Sequence, residues 1–233
     1  MGGPVDPVEI QSWLKWVGST SVPLCRIKRN TDQVLGIASA WLLNLGEKRI
    51  LITAAHSLQK GVDWCVDIGP NIEGKNELYW PNEFSIIDGP ELDLSAASVA
   101  IDLQPFHQER GPRGMIGEPI LNHVFMPSEI VKPDIKEVFA FSGKISPEMY
   151  ADNTFFRQPI VYPGLRLIEQ SAHKLTFSLP VEHPGHDAFQ GCSGAPIVDS
   201  KRRCIGHVTG GDVAKNVVFG SSIEELVPLL GAV

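Results

Sequence analysis

The sequence predicts an all-β body built of barrels or sandwiches, with helix confined to the two ends of the chain. Three observations carry that expectation. Apolar stretches of strand length recur from Val22 to Gly220. Turn residues are plentiful between them, Gly 22 and Pro 18 among 233 residues, against only 8% aromatic. The interior also lacks long helical periodicity. A chain that is 43% hydrophobic and 20% charged has a globular composition, which excludes disordered, collagenous and coiled-coil proteins.

Asp6-Pro7-Val8-Glu9 has the form of a helix start: an acid at the N-cap, proline at the first helical position and an acid in the first turn. Val8, Trp13, Trp16 and Val17 fall on no single stripe, which fits a short helical lead-in over residues 1–20 laid against a larger body. From Val22 the period changes. Val22 to Lys28 alternates, and Val34 to Leu43 and Arg49 to Ala55 are apolar runs of strand length. Asn44 to Lys48 has hairpin character, with Gly46 able to take a positive φ. Further strands are expected at 94–103, 137–142, 175–179, 195–198, 204–209 and 217–220. Residues 104–136 and 143–174 are rich in proline and glycine and weakly periodic, so they read as long loops and irregular hairpins. Ser221 and Ser222 each precede a glutamate by three residues, a capping-box pattern for a terminal helix over 221–233.

Twenty Lys+Arg against 27 Asp+Glu gives a formal charge of -7, so neither nucleic acid nor an anionic membrane is an expected partner. Lys201-Arg202-Arg203 is the one compact basic run. With no aromatic platform beside it, it reads as a solvated turn. The opening residues show no basic segment leading into an apolar one, and no stretch approaches the ~20 apolar residues that cross a bilayer. Asp6 stands where a myristoylation signal after Met1-Gly2 needs Ser or Thr. Cys25, Cys65, Cys192 and Cys204 form no C-x-x-C pair and read as free thiols of a reducing compartment. A cytoplasmic location is the expectation.

One constellation carries chemistry. Phe189-Gln-Gly-Cys-Ser-Gly-Ala-Pro-Ile-Val-Asp sets Ser193 between glycines and directly ahead of a strand. A nucleophilic serine needs a base for its proton and backbone amides aimed at the oxyanion, and neighbouring glycines allow the tight turn that does this. His56, at the end of the apolar strand Leu51-Ile-Thr-Ala-Ala, is the candidate base. Asp93, heading the run Leu-Asp-Leu-Ser-Ala-Ala-Ser-Val, is the candidate carboxylate that would orient it. Of the carboxylates nearby, Asp88 precedes Gly-Pro and reads as turn chemistry, and Asp102 falls at a strand end. Cys192 reads as a packed thiol. His183 and His186 have H-x-x-H spacing but no helix or third ligand beside them, so no metal is expected.

Thr53-Ala-Ala-His56, Asp93 and Gly191-Cys-Ser193-Gly-Ala-Pro196, in that order, resemble the chymotrypsin-like serine peptidases. Arg203-Cys-Ile-Gly-His-Val-Thr-Gly-Gly211 resembles the strand and turn lining their substrate cleft. Val218 to Leu230 resembles the last strand and closing helix of bacterial trypsin-like and HtrA-type members. The resemblance covers roughly residues 33 to 230. It implies two six-stranded antiparallel β-barrels, over 21–112 with His56 and Asp93 and over 113–220 with Ser193. It also implies a catalytic triad of those three residues, an oxyanion hole at Gly191, Cys192 and Ser193, and substrate contacts at Thr209, Gly210 and Gly211. The implied activity is that of a serine endopeptidase acting on protein or peptide substrates, with no cofactor and no metal. For a cytoplasmic peptidase, control by a regulatory protein partner or by narrow specificity is expected.

The sequence departs from the family in three places. Cys192 replaces the aspartate that pairs with a newly cut N-terminus in secreted relatives, Ala195 replaces a glycine, and Gly36-Ile-Ala-Ser-Ala40 stands where glycine-serine-glycine is usual. These departures open a second reading, a catalytically silent protease-fold module for binding or regulation. For specificity, Asp187 lies six residues before Ser193, where trypsin-like relatives pair with Arg or Lys. His207 is the alternative, as a histidine on this strand binds Glu or Gln in glutamyl and viral relatives. Gap-free reading from Gly210-Gly211 instead gives that position to Val208, and a one-residue slip turns His207 to the opposite face. A preference for small aliphatic residues would involve neither.

Overall fold

The computed structural model describes residues 6–27, 34–58, 63–73, 75–89, 92–111, 114–144, 148–149, 155–156 and 159–231. Met1 and Gly2 with the lipidation pattern, Lys28, and Pro90 of the turn expected after Asp88 fall outside them. The chain opens with α1 (Pro7–Thr20), capped as expected: the Asp6 carboxylate accepts from the Val8 amide at 2.9 Å. Its last turn is buried, and the Trp13 indole donates to the Asp199 carbonyl at 3.0 Å, which fixes the helix against the C-terminal half.

Seven strands follow: β1 (Val22–Ile27), β2 (Val34–Asn44), β3 (Arg49–Thr53), β4 (Trp64–Pro70), β5 (Asn76–Tyr79), β6 (Ser85–Gly89) and β7 (Leu92–Val99). They form one barrel-like sheet in the order β5-β4-β1-β2-β3-β7-β6, antiparallel at every pairing. The hairpin β8 (Phe106–Gly111) and β9 (Gly114–Leu121) pairs with itself, and β10 (Val124–Phe125) then joins β2 in parallel. The C-terminal half contains β11 (Phe139–Lys144), the small pair β12 (Glu148–Met149) and β13 (Phe155–Phe156), β14 (Pro159–Ser171), β15 (Lys174–Ser178), α2 (His186–Phe189), β16 (Pro196–Asp199), β17 (Cys204–Asp212) and β18 (Val217–Ser222). Six of these close a barrel in the order β11-β14-β15-β18-β17-β16. The fold is the all-β, two-halved one expected. The C-terminal barrel has its six strands, whereas the N-terminal sheet runs through seven and gains β10 as an eighth.

The apolar runs of β2, broken only by Ser39 between Val34 and Leu43, and of β3 follow from burial on both faces. Ala38, Ala40, Leu42 and Leu51 pack inside the N-terminal half with Val22, Leu24 and Val66. Trp41, Leu43, Ile50 and Ile52, on the alternate positions, pack into a second cluster with Phe125, Val198, Cys204 and Ile223. That second cluster is the seam between the halves. A third fills the C-terminal barrel around Phe139, Phe141, Phe177 and Ile197. All four cysteines are buried, and Cys25 and Cys65 stand directly opposite each other on β1 and β4.

Several expectations are corrected. The stretches 104–136 and 143–174 contain regular strands, including the 13-residue β14. Pro163, Gly164 and a register shift between Leu167 and Glu169 break its alternation, and its residues beyond Leu167 are exposed. Asp88 is in strand β6 opposite Asp93, not in a turn. The capping box at Ser221 and Ser222 does not form: β18 runs through both, and the Ser222 amide donates to the His173 carbonyl. Sheet pairing outcompetes the local cap. The end of the chain is a 3₁₀ turn (Glu224–Leu226) followed by the four-residue α3 (Val227–Leu230). The basic run is a turn whose charges are used locally, Lys201 on Glu137, Arg203 on Asp199 and Arg202 on Ser12.

Phe125 is fully buried in the seam, edge-on to Trp41 and Trp16 at centroid distances of 5.5 and 6.1 Å. Phe125→Ala should cost about 3–5 kcal/mol of unfolding free energy in chemical denaturation. A loss below about 1 kcal/mol would mean that the seam closes over the cavity without needing the ring.

Candidate active site

His56 sits in the 3₁₀ turn Ala55–Ser57 that follows β3, so a strand buried from Ile50 to Thr53 sets its position while its ring, 48% exposed, reaches solvent. β7 pairs with β3 up to Ser95 opposite Thr53, which carries Asp93 to the same end of the sheet. There the Asp93 carboxylate receives two hydrogen bonds from His56, one from the backbone amide at 2.8 Å and one from Nδ1–H. Burial pushes the Asp93 carboxyl up. The two hydrogen bonds, with the nearby His56 and His207, outweigh this and hold it below its ordinary value, so it is a carboxylate at neutral pH. Because Nδ1 bears the proton, Nε2 presents a lone pair. It faces Ser193 Oγ at 3.0 Å, across the boundary between the two halves.

Ser193 lies in the turn between α2 and β16, and nearly every peptide unit of that turn is held. The Cys192 amide donates to the Phe189 carbonyl and the Ala195 amide to the Cys192 carbonyl, both at 2.9 Å. The Gly194 amide donates to Val208 on β17 at 2.8 Å. Gly191 and Gly194 have φ of 94° and 86°, which a side chain would resist. A Cβ on Gly194 would also meet the Ser39 carbonyl at 2.1 Å. Gly191 and Ser193 line the cleft, and their amides donate to none of the described residues. Cys192 departs from its expected place in the oxyanion hole, because its amide is used inside the turn. Its buried thiol is pushed up to about 12 by burial and so stays protonated. The thiol packs on Gly143, where a Cβ would stand 2.2 Å from Sγ.

The cleft beside Ser193 has a volume of about 470 Å³. Asp187, Gly210 and Gly211 line it together with His56, Ser193 and Gly191. Asp187 is exposed on α2, not sunk in a floor. Thr209 falls at the register shift between Val208 and Gly210 and does not line the cleft. Strand alternation decides the reading of β17: Val208 faces the cleft and His207 faces away from it. His207 is therefore no contact for a substrate side chain. It is fully buried, and its Nε2–H donates to the main-chain carbonyl of Asp93 at 2.7 Å. His183 and His186 flank the cleft with ring centroids 6.1 Å apart, and the Gly185 amide donates to His183 Nδ1.

Sequence reasoning gives no role to Ser39 and Thr53, which tie this site together. Ser39 on β2 donates from its amide to the Ser193 carbonyl at 2.8 Å and from its hydroxyl to the Gly191 carbonyl at 2.6 Å. Its own carbonyl accepts from Thr53 Oγ at 2.7 Å. The signal was the lone hydroxyl within the apolar run of β2, since a buried hydroxyl requires a partner.

No family model matches the chain, and neither does any curated protein. Solved structures do. A serine endoprotease from Yersinia pestis superposes with a TM-score of 0.55 at 13% identity, covering 99% of this chain and 67% of that one. The active form of the Rv3671c protease from M. tuberculosis gives 0.57 at 14% identity, covering 99% and 91%. The MamO protease domain from Magnetospirillum magneticum, in its apo form, gives 0.54 at 15%, covering 92% and 97%. The fold is that of the trypsin-like, HtrA-type serine proteases. Among the described residues, no helix is long and apolar enough to cross a membrane.

Burial lowers the His207 pKa below its ordinary 6.5, and this outweighs the raising effect of its bond to Asp93. As pH falls below that value, the unfolded chain takes up a proton that the folded protein refuses. Stability should therefore fall on acidification, by up to about 1.4 kcal/mol per pH unit. His207→Gln keeps an N–H donor and removes the titration. Urea denaturation between pH 7 and 5 should show a shallower slope for this variant, and equal slopes would mean that His207 titrates freely in the folded protein.

Proposed function

We propose that this protein is a serine endopeptidase. Ser193 Oγ attacks the scissile carbonyl while His56 Nε2 accepts its proton. Asp93 holds the other ring nitrogen and balances the imidazolium that forms. The Gly191 and Ser193 amides receive the oxyanion of the tetrahedral intermediate. His56 then delivers the proton to the leaving amine, which leaves an acyl ester on Ser193, and activates the water that hydrolyses this ester. The observation that carries the reading is the unbroken line Asp93–His56–Ser193, with 3.0 Å between His56 Nε2 and Ser193 Oγ and partners drawn from both halves of the chain.

The departures that favoured a silent module leave this line intact. Cys192 turns its thiol into the C-terminal core, Ala195 is buried there too, and Ala38 and Ala40 face the N-terminal core. Asp187 is the carboxylate of the cleft, and Phe141, Phe189, Val208 and Val218 supply apolar walls. A long side chain with an apolar stem and a cationic tip matches both, which supports cleavage after Arg or Lys.

The wild-type protein should be labelled by a fluorophosphonate probe and Ser193→Ala should not be. Tight peptide binding by a wild type that never labels would replace this reading with that of a silent module. Asp93→Asn should lower turnover by about 10⁴, because His56 loses its tautomer. Asp187→Asn should lower kcat/KM for Arg and Lys substrates only about fivefold, because an exposed ion pair contributes about 1 kcal/mol at most. Cleavage confined to apolar residues in a peptide library would remove Asp187 from specificity.

A further inference from the structure

Each peptide unit from Gly191 to Gly194 has a fixed orientation, and the bonds that fix them come from two sources. Between Gly191 and Cys192 the carbonyl is held by Ser39 Oγ and the amide by Phe189. The next unit is held through the Ala195 amide on the Cys192 carbonyl. The third is held by the Ser39 amide on the Ser193 carbonyl and by Val208 on the Gly194 amide. Among the described residues, all the contributions from the opposite half of the molecule belong to Ser39. Any residue at this position would donate from its backbone, but only a hydroxyl reaches the Gly191 carbonyl.

We propose that Ser39 is a positioning residue: its hydroxyl locks the Gly191–Cys192 peptide, and thereby the direction of the two amides that receive the oxyanion. This builds on the endopeptidase reading. Gln190 at φ -60°, ψ 121° followed by Gly191 at φ 94°, with the Cys192 amide on the Phe189 carbonyl, is a type II turn. Glycine at its third position is free to leave that conformation, so the turn depends on outside bonds to stay in it. Cys192 is a protonated, buried thiol and offers no charge. Ser39 has no exposed surface, so no solvent competes with the Gly191 carbonyl for its hydroxyl.

Ser39→Ala removes one oxygen and leaves the backbone bonds in place. With the number of active sites fixed by burst titration, kcat per titrated site should fall about 10- to 100-fold, less than the loss of an oxyanion donor itself. KM should stay within about twofold. Ser39→Cys, similar in size but a weaker donor, should fall between the two, and it decides the matter if Ser39→Ala does not fold. Amide exchange at Cys192 should accelerate in Ser39→Ala while exchange in β11 and β15 is unchanged. An unchanged kcat per titrated site, even with fewer sites or a lower melting temperature, would overturn the proposal, because a purely cohesive serine gives that result. If wild type never reacts with a fluorophosphonate, the endopeptidase reading fails, and the Cys192 exchange comparison still decides whether Ser39 holds the turn.

Discussion

The 3.0 Å between His56 and Ser193 spans two separately built halves, so the seam between them is the constraint on which the site depends. The imidazole is mounted on the 3₁₀ turn after β3 and the hydroxyl on a turn before β16, and no element carries both. A displacement of about 1 Å in such a pair costs orders of magnitude in rate. The seam meets that demand with an apolar cluster that draws side chains from α1, β2, β3, β7, β10, β11, β16 and β17. Polar bonds then cross it: Trp13 to Asp199, Ser39 to Gly191 and Ser193, and His207 to Asp93. The apolar cluster supplies cohesion, which is non-directional. The hydrogen bonds supply register, because each tolerates only a few tenths of an ångström.

Electrostatics follow from the same layout. Asp93 is partly buried yet ionised, because His56 donates to it twice and His207 fixes its backbone from behind. His207 donates through Nε2–H as a neutral ring, so it adds no positive charge against the imidazolium that the proposed reaction forms on His56. Cys192 stays a thiol, so it adds no negative charge beside the amides proposed to receive an oxyanion. The two buried groups beside the Asp93–His56–Ser193 line, His207 and Cys192, are therefore neutral.

The sequence makes β2, β3, β7 and the strands from β15 onward legible because burial gives them long apolar runs or clear alternation. β14 was hidden because a proline, a glycine and a bulge interrupt it and its far end faces solvent. Sheet pairing, a non-local effect, also overrode the capping pattern at Ser221 and Ser222. At the site, Ser193 and His56 announce themselves through the local motifs around them. Ser39 and His207 do not, because their partners lie 152 and 114 residues away. Strand alternation nevertheless carried the decision on β17, since it gives the cleft to Val208 and the seam to His207.

Stability and function place different demands on the seam. Burying a hydroxyl or an imidazole gains little over burying a methyl group of the same shape, and replacing a bonded polar pair with apolar groups is often neutral for stability. A seam selected for cohesion alone would thus have no use for Ser39, Thr53 or His207, all fully buried. Each makes a bond that ends, directly or through one neighbour, on the backbone of Asp93, Gly191 or Ser193. An apolar seam would hold the halves together equally well and let them slide. The polar residues convert an adhesive contact into one with a single register, and that register is the distance between the proposed base on one half and the proposed nucleophile on the other.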